Sequence, residues 1–204
     1  MRSSVTSAPH VPGNRSEPRI RALREPVVPS PVLGVLVAIA CEVMFFGGLI
    51  SAYVIGEASA PAGWPPPDEP RLPVEATAVN SVGLLCSGIA AWLAGRAWPA
   101  AMQRARRALG IAAVLGTVFV LVQGYEWARL IARGLTMQTS AHGSFFYLLV
   151  GAHAVHVAVG LVFLLRAYLQ MTHFTLAAAS FQAVRLFWYF VVLLWPLLYV
   201  LVYL

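Results

Sequence analysis

The sequence predicts an all-α membrane protein, a bundle of five transmembrane helices with its N-terminus in the cytoplasm and its C-terminus on the opposite side. Three observations carry this. Of 204 residues, 59% are hydrophobic and only 11% charged, where a soluble domain has ~25% charged. The mean hydropathy is +0.75, which fits a membrane protein and little else. Five apolar runs each approach the ~20 residues that cross a bilayer as a helix. All fourteen basic residues are Arg, gathered in the N-terminal tail and between the runs. That placement follows the topology rule for basic residues and forms no face for nucleic acid, despite a net charge of +6.

Residues 1–30 are rich in Ser, Pro and Arg and lack hydrophobic periodicity, so they are expected to form a polar, mostly irregular tail. Glu17 and Glu25 argue against a transit peptide, and the long run after Pro31 argues against a secretory signal. Residues 31–204 then form a single five-helix transmembrane domain. Its first run spans about 32–56 and stops near Gly56, before a Pro-rich loop from Pro61 to Pro73. The second spans about 74–95, the third about 108–131, the fourth about 142–166 and the fifth about 183–204. Each is broken by Gly, Ala and Ser, the residues that let membrane helices approach closely, and a side chain at Gly151 or Gly160 is expected to push helices apart.

Orientation follows from the arginines. Arg2, Arg15, Arg19, Arg21 and Arg24 lie in the tail, Arg96, Arg104, Arg106 and Arg107 about the second loop, and Arg166 and Arg185 about the fourth. The first loop has Arg71 alone, set against Glu57, Asp68 and Glu69, while Arg129 and Arg133 dissent near the third. The balance places the N-terminus in the cytoplasm. Trp64, Trp98, Trp127 and Trp188 lie near run ends and suit the lipid interface. Cys41 and Cys86 lie inside apolar runs and read as small buried hydrophobes, with no disulfide or metal framework.

The polar groups inside the runs are the candidate site. Glu42 is the only acid between Glu25 and Glu57, at a depth where a carboxylate costs at least ~2.5 kcal/mol. It reads either as a neutral acid bonded to a neighbouring helix or as a group in a proton or ion path. Gln123, Glu126 and Arg129 follow one another at three-residue spacing, and Glu126 with Arg129 reads as a structural ion pair. His153 and His156 are likewise three apart and are expected to share a face. Glu42 stands ten residues from the cytoplasmic start of its run and His156 ten from the cytoplasmic end of its own, both roughly 15 Å deep. The two are therefore expected to be neighbours. A haem or di-metal site would need facing ligands on other helices, so no metal ligand is expected here. No nucleophile–base arrangement, phosphate loop or CxxC pair appears, and no catalytic residue is expected. The absence of an inverted repeat weakens a transporter reading.

Seven segments in order carry a resemblance. Glu42-Val43-Met44-Phe45-Phe46-Gly47-Gly48-Leu49 resembles an E-x-x-F-F segment, Trp64-Pro65-Pro66 a W-P-P, and Asn80 to Leu85 an N-T/S-x-x-L-L helix start. Gln123 to Trp127 resembles Q-x-x-E-W, Gly143 to Tyr147 resembles G-S-x-F-F, and Gly151 to Val157 resembles G-x-H-x-x-H-V. Phe187-Trp188-Tyr189-Phe190 leads a Trp-bearing last helix. Together they resemble subunit III of the haem-copper respiratory oxidases, the cytochrome c oxidase type, in its short five-helix form. The resemblance implies a non-redox accessory subunit of the bacterial inner (plasma) membrane, with haem and copper on partners. It also implies docking on the catalytic subunit I and the copper-bearing subunit II, bound phospholipid, and support of proton uptake, in which Glu42 matches the family's buried, carbodiimide-sensitive glutamate. A subunit-III-like partner of a nitric oxide reductase is the near alternative, and a small transporter or proton channel the alternative of another class. Two departures stand out: the family's last helix reads close to Y-W-H-F-V-D-x-x-W, where this chain has Tyr189 for the His and Val192 for the Asp.

Overall fold

A computed structural model describes residues 28–61, 63–67 and 69–204. The expected tail, with its five arginines, lies almost wholly outside the described residues, as does Asp68. The described residues form five α-helices and no strand: α1 (Ser30–Ala58), α2 (Val74–Ala97), α3 (Met102–Ala132), α4 (Ala141–Thr172) and α5 (Ala178–Tyr203). All five are long and apolar enough to cross a membrane.

Local chemistry sets several ends. α1 starts with a Pro in its first turn, where the missing N–H costs nothing. α2 carries Glu75 in its first turn and Arg96 in its last, each matched to the helix dipole. It stops at Trp98, just before Pro99. α4 is capped by Ser140, whose hydroxyl accepts from the Gly143 N–H at 2.9 Å.

The helices run past the apolar runs that announce them. α3 starts at Met102 and takes in Arg104, Arg106 and Arg107, α4 continues to Thr172, and α5 starts at Ala178. Hydropathy marks the membrane, whereas the helix continues until a Pro, a cap or a left-handed residue stops it. Phe174, at φ 57°, does so after α4. α5 continues through Pro196 without a break.

α2, α3, α4 and α5 pack in a ring, each against its two neighbours, and α1 leans on the outside of α4 and α5. α1 is accordingly the least buried helix: Phe46 and Tyr53 face inwards, while Val37, Met44 and Ile55 are exposed to the surroundings. Ala91 and Ala94 of α2 with Ala105 and Ala112 of α3 are wholly buried, as expected of a seam where two backbones approach closely. Side-chain hydrogen bonds lock this seam. The Ser87 hydroxyl donates to Ala112 O at 2.7 Å and Asn80 Nδ2 to Phe119 O at 3.1 Å. From α5, Trp188 Nε1 donates to Ser87 Oγ at 3.2 Å and Trp195 Nε1 to Ser81 Oγ at 2.7 Å.

Three expectations are corrected here. Cys41 and Cys86, read as buried, are exposed on the outer faces of α1 and α2. Trp188 is no interfacial anchor: it is wholly buried at the centre of the ring. The early start of α5 moves it inwards, and Gly116 and Gly160 make room for its ring. A Cβ on either glycine would lie 2.8 Å from ring atoms of Trp188. Gly151 lacks the tight packing expected of it, since a Cβ there meets only Trp127, at 3.5 Å.

Candidate functional site

Glu42 of α1 and His156 of α4 meet where these helices touch, Glu42 Oε2 lying 2.9 Å from His156 Nε2. Two helices counted from the same side of the membrane bring equal depths together, and the structure places these two side chains in contact. The other ring nitrogen, Nδ1, lies 2.7 Å from Ala152 O. A carbonyl oxygen only accepts, so Nδ1 must carry a hydrogen. Nε2, the remaining ring nitrogen, faces the carboxyl. A contact of this length between the two atoms is a hydrogen bond, with the hydrogen on the acid or on the ring. Phe46 closes one side, its ring 5.3 Å from His156 edge to face. The other side is open, since the Glu42 side chain is 28% exposed. A Cβ on the adjacent Gly47 or Gly48 would meet nothing within 4 Å.

His153 does not join this pair. Although three residues from His156, it turns into the ring, is 1% exposed and stacks on Trp195 at 5.0 Å. A three-residue step turns a helix by about 60°. α4 is wedged between α1 and α3, so that step is enough to give each histidine a different neighbour. Glu126 is buried and Arg129 Nη1 reaches its Oε1 at 3.4 Å, the pairing read from their spacing. Gln123 Nε2 donates to the Tyr203 hydroxyl at 3.0 Å. Trp127 is partly buried and its ring packs on Tyr147.

The sequence reading missed a second acid–imidazole pair. Glu69 Oε2 of the first loop lies 2.6 Å from His142 Nδ1 at the start of α4, both side chains nearly buried. Trp64 lies over His142 with ring centres 5.1 Å apart and donates to the Tyr53 hydroxyl at 2.9 Å. So Trp64 fastens the loop to α1 and α4. The two partners stand 73 residues apart, a separation no periodicity reveals. The only hint was an acid beside Trp64-Pro65-Pro66 and a His next to a helix cap. Among the described residues, no group of three or more His, Cys, Asp or Glu side chains is placed to hold a metal.

An acid–imidazole pair thus lies between two membrane-spanning helices, beside the open face of α1. The family model described as cytochrome c oxidase subunit III matches residues 23–204. The chain belongs to this family. It is 35% identical over 202 residues to the probable cytochrome c oxidase subunit 3 of Mycobacterium leprae, covering 98% of each chain. It is 34% identical over 208 residues to that of Nocardia farcinica, again 98% of each. With the cytochrome c oxidase subunit 3 of Synechocystis it shares 34% over 187 residues, which is 85% of this chain and 75% of the relative. Five spans and these bacterial relatives make this subunit III an integral plasma-membrane protein. The subunit III pattern also frames the two departures. Tyr189 takes a hydrogen bond from Arg185 Nε at 3.0 Å, and Val192 packs against Gly88, where a Cβ would lie 2.9 Å from Val192 Cγ1. An Arg–Tyr contact and an apolar wedge thus occupy the positions where the family pattern has His and Asp.

Proposed function

We propose that this chain, an accessory subunit of a haem-copper oxidase, docks on the catalytic subunit I and copper-bearing subunit II and supports proton uptake through Glu42 and His156. The haem and copper belong to those partners, and the N-terminus faces the cytoplasm. The observation that carries the reading is the 2.9 Å contact between Glu42 Oε2 and His156 Nε2, with Nδ1 tied to Ala152 O. Such a pair gains or loses a proton at one defined atom. It lies in the open face of α1, where an adjoining subunit could reach it.

The test is Glu42→Gln in the purified complex. A Gln amide can still donate to Nε2, so the contact and assembly survive while the transferable proton is lost. Haem and copper content should stay at the parent level, and the initial rate or the number of turnovers before inactivation should fall severalfold. Unchanged rate and lifetime, or loss of the catalytic subunit from the membrane, would refute the role. An optical and metal analysis of the parent complex tests the partners: haem b with non-haem iron would point to a nitric oxide reductase.

Bound phospholipid is part of the same proposal. What supports it is the α2–α5 seam, on the side where α1 begins. Arg185 lies against Gly95 there, where a Cβ would collide with its guanidinium, and it forms no ion pair among the described residues. Trp98, Gln182 and Tyr189 surround it, and from Tyr189 an apolar groove past Gly88, Ile89 and Leu193 continues along the seam. A cation over a groove suits a phosphate headgroup with one acyl chain.

A further inference from the structure

A groove of about 520 Å³ runs between α3 and α4 on the side where α3 begins. Gln103, Arg106 and Arg107 line one end, and Gly110, Ile111 and Val114 continue it along α3, facing Tyr168 of α4. These positions recur every three or four residues, so a polar end and an apolar track share one face of the helix. The bundle core does not use that face. Gln103, Arg107, Ile111 and Val114 are exposed, whereas Ala105, Leu109, Ala112 and Ala113 are buried. At Gly110 the Tyr168 ring lies against bare backbone, where a Cβ would meet it at 3.3 Å.

We propose that this groove holds an anionic phospholipid, its phosphate between Arg106 and Arg107 and one acyl chain along Ile111 and Val114. Charge decides for an anion. Neither arginine has an ion-pair partner among the described residues. The same end of the bundle carries Arg96, Arg104, Arg166 and Arg185 and, among the described residues, no Asp or Glu. Two adjacent guanidinium forks grip one phosphate, and Gln103 adds an amide donor one turn away. A zwitterionic lipid would bring a further cation to an end that is already basic. Basic pockets between membrane helices are where anionic headgroups settle.

The apolar track decides for a lipid over other anions. From Gly110 to Leu115 it descends ~8 Å into the membrane, a length that a free phosphate would leave empty. An acidic peptide laid there would turn backbone groups towards apolar side chains and lipid, with nothing to satisfy them. An acyl chain has no such groups. The site is separate from the α2–α5 seam beside Arg185, and α4 stands between it and α1. Nothing about it requires the lipid proposed at Arg185 or the proposed role of Glu42 and His156.

The test is a density map with native mass spectrometry of the intact complex, taken from nanodiscs of equal parts phosphatidylcholine and phosphatidylglycerol. The parent should show a headgroup against Arg106 or Arg107 and a tail along Ile111 and Val114. Arg106→Gln with Arg107→Gln should lose that density and one tightly retained phosphatidylglycerol. Arg96→Gln with Arg104→Gln removes the same charge from the same end but outside the groove, and should keep both. Ile111→Trp keeps both arginines and obstructs the track, so it should lose the lipid as well; Ile111 is 54% exposed, and the larger ring leaves the core alone. Arg185→Gln should leave this phosphatidylglycerol in place. An empty groove in the parent, phosphatidylcholine retained there instead, an isolated phosphate or a polypeptide segment in the groove, or equal loss in the two double variants would overturn the proposal.

Discussion

Gly160→Ala tests the packing argument most directly. A methyl at Gly160 would lie 2.8 Å from Trp188 Cε3 and 3.1 Å from Cζ3, closer than side chains ordinarily pack. The indole has nowhere to retreat. Its Nε1 is held by Ser87 at 3.2 Å, and its far edge lies against Gly116, where a Cβ would meet it at 2.8 Å. Overpacking costs ~1–3 kcal/mol, and a ring pinned on three sides belongs at the upper end. Replacing a mid-helix Gly by Ala returns up to ~1 kcal/mol of backbone entropy. The net expectation is a loss of about 2 kcal/mol, or about 4–8 °C in the melting temperature of a chain this size. The assay is thermal unfolding of the detergent-purified complex, with Gly48→Ala as control because a Cβ there meets nothing within 4 Å. Combining Gly160→Ala with Trp188→Phe shortens the ring and should recover at least ~1 kcal/mol of the loss. The reasoning fails if Gly160→Ala is as stable as the control, or if the shorter ring gives no recovery.

Three further outcomes are expected. Ser87→Ala removes the acceptor of Trp188 and a bond from α2 to α3. It should cost about 1 kcal/mol, within the range for intramembrane hydrogen bonds and readable in the same melting assay. His142→Ala leaves Glu69 buried without its partner and should free the first loop at a cost of ~1.5–3 kcal/mol. Limited proteolysis should then cut the 61–73 segment severalfold faster, and an unchanged rate would argue against the clamp. Arg185→Gln removes the cation beside the α2–α5 groove, and mass spectrometry of the purified complex should detect less bound anionic phospholipid; an unchanged lipid complement would reject that site.

Much of this was legible in the residues. Every backbone group in a bilayer must be satisfied inside its own helix, so an apolar run of sufficient length dictates a span. Five such runs dictated five helices. The fixed rise per residue made depth a matter of counting, and counting brought Glu42 to His156. Three-residue spacing likewise brought Arg129 to Glu126. The arginines at the helix ends were read too early as loop, because charge ends the membrane and does not end a helix.

The sequence by itself determined the five spans and the family. Only the tertiary structure decided which way each side chain turns. In water a helix advertises its buried face by hydrophobic contrast, but lipid is as apolar as a protein core, so α1 to α5 carry no such mark. What selected the interior was fit: glycines that admit Trp188, alanines that close α2 on α3, and a wedged α4 that sends His153 to Trp195 and His156 to Glu42. Pairings such as Glu69 with His142 arise from that fit, across a distance in the chain that local spacing does not encode.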